Sequence, residues 1–394
     1  MLAAAAVLLT ACGGASVDDE PVEVDRPPWM RGCDQIYYER YGLPKLLILS
    51  DLPLRGELRN ITHQMTQAVK LVVKERGFRT GRFSVAYVSC DDSGSDTGWS
   101  RRRCAEHARE AAHREKVIGV MLPIDLGCAA IAVPPLAAAR PGPLAQVAVL
   151  NAALALPERG AVRVIAPTPA QAAADALLIR GLDADSVAVI DDGTAYGRTF
   201  AATFRQLAGE VGLRVEAEPE RAGAALVAGS LAPRGVRALR EARRRLPAEA
   251  PIVLAPAFGA PAQIAEEVGA AAEGAYIGVS GVAGKRLPAR GRDFSTRFEE
   301  ALHLPPHPLA LYAAEAAELL LDAIAESNGT RASVASALRR SSGPGLVSWI
   351  SFDRGGEPRV APVTVYRIVD GNERFNRIVV PPHELWENAK SAVP

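Results

Sequence analysis

Residues 187–215 read VAVIDDGTAYGRTFAATFRQLAGEVGLRV, and the order of chemistries in them decides the fold. Residues 187–190 are a short apolar run of the kind found in strands covered on both faces. Asp191, Asp192, Gly193 and Thr194 supply turn and N-cap chemistry. From Phe200 the residues Phe200, Thr203, Phe204, Leu207 and Val211 recur at helical spacing, and Gly212 closes the helix. Val215 opens a new extended segment, which completes one β-α-β step. Tyr196 stands just past the strand's C-terminal end, where open α/β sheets hold their ligands. It is a candidate ligand contact, with packing beneath its own helix as the alternative.

The same step recurs along the chain. Strands are predicted at 46–49, 84–88, 117–121 and 145–150, with helices at 61–76, from the cysteine-bounded loop 91–103 through Ala112, and through AAIAVPPLAAA, where prolines should break the helix. A second series opens at 162–165 and continues through helix 169–181, strand 187–190, helix 197–210 and strand 213–217. It runs on through 225–228, helix 234–245, 252–254, helix 261–269 and 276–279. A long apolar helix at 309–327 and a strand-rich tail follow. Alternation of this kind means parallel sheets covered by helices, and two series meeting near residue 166 mean two similar lobes. The 394 residues exceed one comfortable core. Basic and acidic residues balance at 45 each, which argues against a nucleic-acid partner.

The N-terminus reads MLAAAAVLLTACGGAS, an apolar run ending in small residues, as an export signal does. Residues 13–31 are rich in Asp, Glu, Pro and Gly and read as a tether. Four cysteines remain after Cys12: Cys33, Cys90, Cys104 and Cys128. An even number outside the cytosol favours disulfides, with Cys90–Cys104 the expected single pair because the two bracket a polar loop. No CxxC pair is present and the spacings are irregular, so no metal is expected. His303 and His307 lie in a proline loop, HLPPHP, without helical spacing. Asp91, Asp92 and Asp96 in DDSGSD lack the later Glu of a calcium loop. GxSxG, HExxH, P-loop and GxGxxG motifs are all missing from the sequence, so no catalytic role and no cofactor is expected.

The order of these pieces resembles the type I periplasmic binding proteins, in particular the leucine/isoleucine/valine-binding branch. LLILSDLPLRGELRNITHQMTQAVKLVVKERGF is similar to that family's opening strand, loop and helix, and VSCDDS to the end of its second strand. VAVIDDGTAYGRTFAATFRQLAGEVG, EGAYIG and ISFDRGGEP…VYRIVDG are similar to its later steps and closing hairpin. The likeness covers about residues 44–380. It implies two Rossmann-like lobes with parallel sheets, joined by three hinge crossovers near 166, 280 and 344. Lobe 1 would comprise 44–166 plus 281–343, and lobe 2 would comprise 167–280 plus 344–390. Residues 1–12 would be a lipoprotein signal, because Leu-Thr-Ala-Cys resembles a lipobox with Cys12 acylated, and 13–43 a tether and N-terminal extension. The implied protein is a monomer outside the cytoplasm, tied to the membrane by its lipid alone. It would pass a small organic solute to an ABC transporter permease.

In that family the Tyr at the position of Tyr196 reaches the ligand. The resemblance also implies binding loops at LPIDLGC, QVAVLNA and APAFGAP. Asp125, Leu126, Gly127, Ala148, Asn151 and Phe258 thereby become candidate ligand contacts, together with Arg55 on the first loop. Leu126, Ala148, Ala152 and the Ala257–Phe258 pair stand where amino-acid-binding relatives carry polar groups. A charged solute taken out of water needs such partners. The expected cleft is therefore more apolar than one made for amino acids. A binding-fold lipoprotein with a sensory or interaction role and no transported solute is the alternative.

Overall fold

The computed structural model describes residues 30–389 except 95–97, 158–159 and 283. Cys12 and Asp96 lie outside the described residues. The first lobe runs β1 (Leu46–Leu52), α1 (Arg59–Glu75), β2 (Arg79–Thr80), β3 (Phe83–Asp91), α2 (Arg101–His113), β4 (Val117–Met121), α3 (Leu126–Ala137), β5 (Ala145–Ala148) and β6 (Ala161–Arg163). Its sheet has the order β2-β3-β1-β4-β5-β6, parallel except for β2. β1 is central and buried along its whole length. Its side chains alternate between two cores, as the pleat requires. Leu46, Ile48 and Leu52 pack with Met65, Val69 and Val72 of α1, while Leu47 and Leu49 face Ala108, Ala111 and Ala132 of α2 and α3.

The chain then enters the second lobe with α4 (Thr168–Arg180), β7 (Ser186–Asp191), α5 (Ala195–Glu210), β8 (Arg214–Glu216), β9 (Ala224–Ala228), α6 (Pro233–Arg245), β10 (Ile252–Leu254), α7 (Pro261–Val268) and β11 (Tyr276–Ser280). The β-α-β step quoted at the outset is β7-α5-β8. The helices α8 (Ala289–Leu302), α9 (Pro308–Ala325) and α10 (Arg331–Arg340) follow. Of these, α9 packs along the first sheet, and a Cβ on Gly119 of β4 would come within 2.7 Å of Leu320. A short hairpin, β12 (Gly343–Pro344) and β13 (Trp349–Ile350), leads to β14 (Val363–Val369), β15 (Asn372–Val379) and α11 (His383–Trp386). The second sheet has the order β15-β14-β11-β10-β9-β7-β8, with only β14 and β15 antiparallel to their neighbours. Asp370 and Gly371 close the β14–β15 hairpin with φ of 52° and 69°, as a two-residue primed turn demands.

Two expectations need correction. The prolines of α3 do not break it, and one helix runs from Leu126 to Ala137 with Pro134 and Pro135 inside. Pro134 and Ala130, four residues before it, are both exposed, so the carbonyl deprived of its helical donor faces water. The disulfides are Cys33–Cys90 and Cys104–Cys128, not Cys90–Cys104. Residues 33–37 lie antiparallel along the outer edge of β3, with Asp34 N–H donating to Ser89 O at 2.7 Å and Tyr37 N–H to Tyr87 O at 2.9 Å. That pairing puts Cys33 opposite Cys90, with their Cα atoms 3.8 Å apart. Cys104, on the buried face of α2, meets Cys128 in the first turn of α3 instead.

The chain passes between the lobes three times. Leu346, Val347, Ile350 and Phe352 still pack in the first lobe, whereas Ala361 and Val363 belong to the second. The third passage therefore follows Phe352, later than the point near 344 that the resemblance implies. All three passages meet around Tyr312 of α9, where Val164, Ala166, Gly281, Val347 and Ala361 surround a narrow gap.

Candidate functional site

The C-terminal ends of the parallel strands carry the loops at which such folds bind ligands. In the first lobe, the loop after β1 places the Arg55 guanidinium 2.7 Å from Asp91 Oδ2, and Arg103 reaches the same oxygen at 3.1 Å. Burial pushes the Asp91 carboxyl up. The hydrogen bonds from Ser93 and Leu54, with the Arg55 charge, outweigh that and hold it below the usual carboxylate range. Arg55 is thus an exposed cation whose charge is already answered.

The loop after β4 ends in Asp125, the N-cap of α3. Its Oδ1 accepts the N–H groups of Gly127 at 2.8 Å and Cys128 at 3.1 Å. Leu126 is exposed at the helix tip. Gly127 lies against Trp99, and a Cβ there would come within 2.6 Å of the indole ring. Ala148, the last residue of β5, is fully buried in the lobe core, and Asn151 in the loop that follows is nearly so. The Asn151 amide donates to Pro123 O at 2.6 Å, which ties the loop after β5 to the loop after β4. Arg163, itself buried, donates to the carbonyls of Asn151 and Leu154 and pairs with Glu357 at 2.7 Å. Nothing in the sequence around Arg163 marks it as the residue that fixes this loop, because its partners lie on the 151–154 loop and on a segment almost two hundred residues away.

In the second lobe, Asp191 accepts the Gly193 N–H at 3.0 Å and Asp192 the Thr194 N–H at 2.9 Å. The Thr194 hydroxyl in turn caps α5 by accepting the Gly197 N–H at 3.0 Å. Tyr196, in the first turn of α5, has its ring 5.8 Å from that of Phe200 and its hydroxyl bonded to the backbone of Ala257. Burial pushes the phenol well above its usual range. The ring leans on its own helix, and the hydroxyl reaches the next loop. Phe258 packs among Leu254, Ile264, Val268 and Ile277 in the lobe core. Neither Ala148 nor Phe258 therefore offers its side chain to a solute in this structure; both fill cores one layer beneath the loops.

Several buried polar groups escaped the sequence reading. Asp175, in the middle of α4, is fully buried, one of its oxygens has no hydrogen-bond partner, and burial raises its carboxyl well above the usual range. Asp92, at the end of β3, is pushed up to about 9 by burial and by the nearby charges of Asp51, Asp91 and Asp125. At the meeting point of the three passages, Glu315 accepts the N–H groups of Leu346 at 2.5 Å and Val347 at 3.0 Å. Its carboxyl is still raised to about 7, because burial outweighs those two bonds. An alternation of apolar and polar residues signals an amphipathic helix, but it does not show which acid will be enclosed.

No family model and no curated protein matches the chain. Solved structures do match along most of its length. A leucine-binding protein from Thermotoga maritima is 20% identical with a TM-score of 0.66, covering 85% of this chain and 99% of that one. A solute-binding protein of an ABC transporter from R. palustris, in complex with benzoate, is 16% identical with a TM-score of 0.63, covering 89% and 99%. A branched-chain amino acid transporter substrate-binding protein from Streptococcus pneumoniae, in complex with isoleucine, is 15% identical with a TM-score of 0.63, covering 86% and 100%. With its two mainly parallel sheets and three passages between lobes, the chain has the type I periplasmic binding protein fold shared by these substrate-binding proteins.

Proposed function

We propose that the chain is the extracytoplasmic solute-binding component of an ABC-type importer, held to the membrane through lipid on Cys12, and that its solute is a small organic molecule less polar than a free amino acid. The carrying observation is the cap of α3. The N–H groups at a helix N-terminus are a natural seat for a carboxylate. Here Asp125 fills that seat with its own carboxylate, so a second anion would meet repulsion as well as missing donors. Leu126 is exposed beside it, and the Trp99 ring covers Gly127. The benzoate complex of the R. palustris protein gives a precedent on this fold for an aromatic ring, and here the carboxylate of such a solute would have to be met away from the head of α3. Tyr196 and Asn151 would meet the solute from opposite lobes, and closure about the three passages would enclose it. Functionally the protein would act as a monomer that hands its solute to a permease.

The answered charge of Arg55 also fits a second reading, a sensory or interaction lipoprotein on the same fold with no transported solute. Titration calorimetry separates the two. The transport reading expects heat from an apolar or aromatic solute and none from leucine, isoleucine or valine at millimolar concentration. Micromolar binding of a branched-chain amino acid would contradict the pocket chemistry, and silence toward every small molecule tried would favour the second reading.

A further inference from the structure

Beneath the first-lobe loops, four elements bring together side chains that are far apart in sequence. Asp51 closes β1, Asp92 follows β3, Cys104 lies in the first turns of α2, and Cys128 lies in the first turn of α3. One ligand-type atom from each falls within 4.8 Å of all the others, and all four residues are buried. Cys128 Sγ is 3.3 Å from Asp92 Oδ2, while Asp92 Oδ1 has no hydrogen-bond partner although the residue is wholly enclosed. An enclosed carboxyl oxygen without a partner is costly, and a bound ion would satisfy it. Behind Asp51 stands His107, with Nδ1 2.8 Å from Asp51 Oδ1. It fixes the carboxylate's orientation as outer-shell partners of metal ligands do.

We propose that, when the Cys104–Cys128 disulfide is reduced, Cys104, Cys128, Asp51 and Asp92 bind one zinc-class divalent cation. Two thiolates and two carboxylates form a donor set suited to a borderline-soft ion in tetrahedral geometry. With metal–sulfur bonds of about 2.3 Å, such a site separates its two sulfurs by roughly 3.8 Å. The Cα atoms of Cys104 and Cys128, 5.5 Å apart, accommodate either that separation or the disulfide. A dithiol, which closes to its own disulfide, or a phosphine, which takes an oxygen from water to become the phosphine oxide, supplies the two electrons and two protons that turn the S–S bond into two thiols. The cation then displaces the two thiol protons, and any proton on the carboxylates, to solvent. The disulfide and the metal are thus alternative cross-links between α2 and α3. Irregular spacing hid the site, because its ligands come from four elements and not from one motif.

The test uses the full chain, reduced with a phosphine, desalted, and titrated with Co2+ as the probe. The expected result is uptake of one equivalent with a thiolate-to-cobalt charge-transfer band and tetrahedral ligand-field absorption, and no such bands from the oxidised protein. Cys104→Ser should weaken the charge-transfer band, the double variant Cys104→Ser/Cys128→Ser should lose it although Cys33 and Cys90 remain, and Asp92→Asn should bind at least about tenfold more weakly. Near-UV circular dichroism of the reduced protein reports whether the lobe stays folded with cobalt bound. Absence of the bands from reduced protein, equal affinity in Asp92→Asn, or binding by unfolded chain alone would each overturn the proposal.

Discussion

Asp125 Oδ1 lies 2.8 Å from the Gly127 nitrogen, so the anion at the head of α3 is part of the protein itself. This one contact stabilises the helix and shapes what the cleft can accept. Asp125→Ala should cost about 1 kcal/mol of stability through loss of the cap, read as a lower denaturant midpoint at unchanged slope. The same variant frees two amide donors and removes a negative charge. Calorimetry should then show tighter, not weaker, binding of carboxylate solutes.

Arg163 anchors the neighbouring loop and the third passage together. Its guanidinium holds the carbonyls of Asn151 and Leu154 and pairs with Glu357, which is partly exposed. Arg163→Met should destabilise by about 3 kcal/mol, since it leaves buried carbonyls unpaired and a carboxylate without its cation. Hydrogen exchange should speed up at residues 151–154 well before the sheet is affected.

The β-α-β framework was legible because its signals are local. The step at 187–215 needs only an apolar run, a capping turn and a helical period, and β7, α5 and β8 fall within two residues of the expected bounds. The helices α8 and α10 went unread although each buries an apolar face. The disulfides depend on non-local geometry: whether Cys90 meets Cys33 or Cys104 is settled by an edge segment pairing with β3. Of the candidate site residues, Asp125 and Asn151 stand in loops past the C-terminal ends of β4 and β5, while Ala148 and Phe258 turn inward. Position in an alignment-like pattern fixes the loop, but the direction of a side chain follows from strand pleat and local turn.

Glu315 predicts a pH dependence. Its folded carboxyl, at about 7, lies above its ordinary value of 4.5 because it is buried. The folded state therefore binds the proton more tightly than the unfolded state does. The resulting stabilisation is complete below about 4.5 and lost as pH rises through about 7, on the order of 3 kcal/mol in all. Glu315→Gln should flatten the fall in stability between pH 5 and 8, roughly, relative to the parent protein. An identical pH slope in parent and variant would count against it.

Gly281 lies on the second passage with φ of 90°, and a Cβ there would collide with the Tyr312 hydroxyl. Gly281→Ala should lose more than about 1 kcal/mol, combining backbone strain with that collision. Adding Tyr312→Phe should recover part of the loss, giving a non-additive double-mutant cycle. Strict additivity would show that the two residues do not share the hinge contact.

The two lobes are expected to enclose a small organic solute other than a branched-chain amino acid. Native mass spectrometry of the protein isolated gently from its own host addresses this directly. The account predicts one non-covalent small-molecule adduct that is released on denaturation, with a mass matching none of leucine, isoleucine or valine. A bare chain in every preparation, or an adduct with the mass of a branched-chain amino acid, would contradict it.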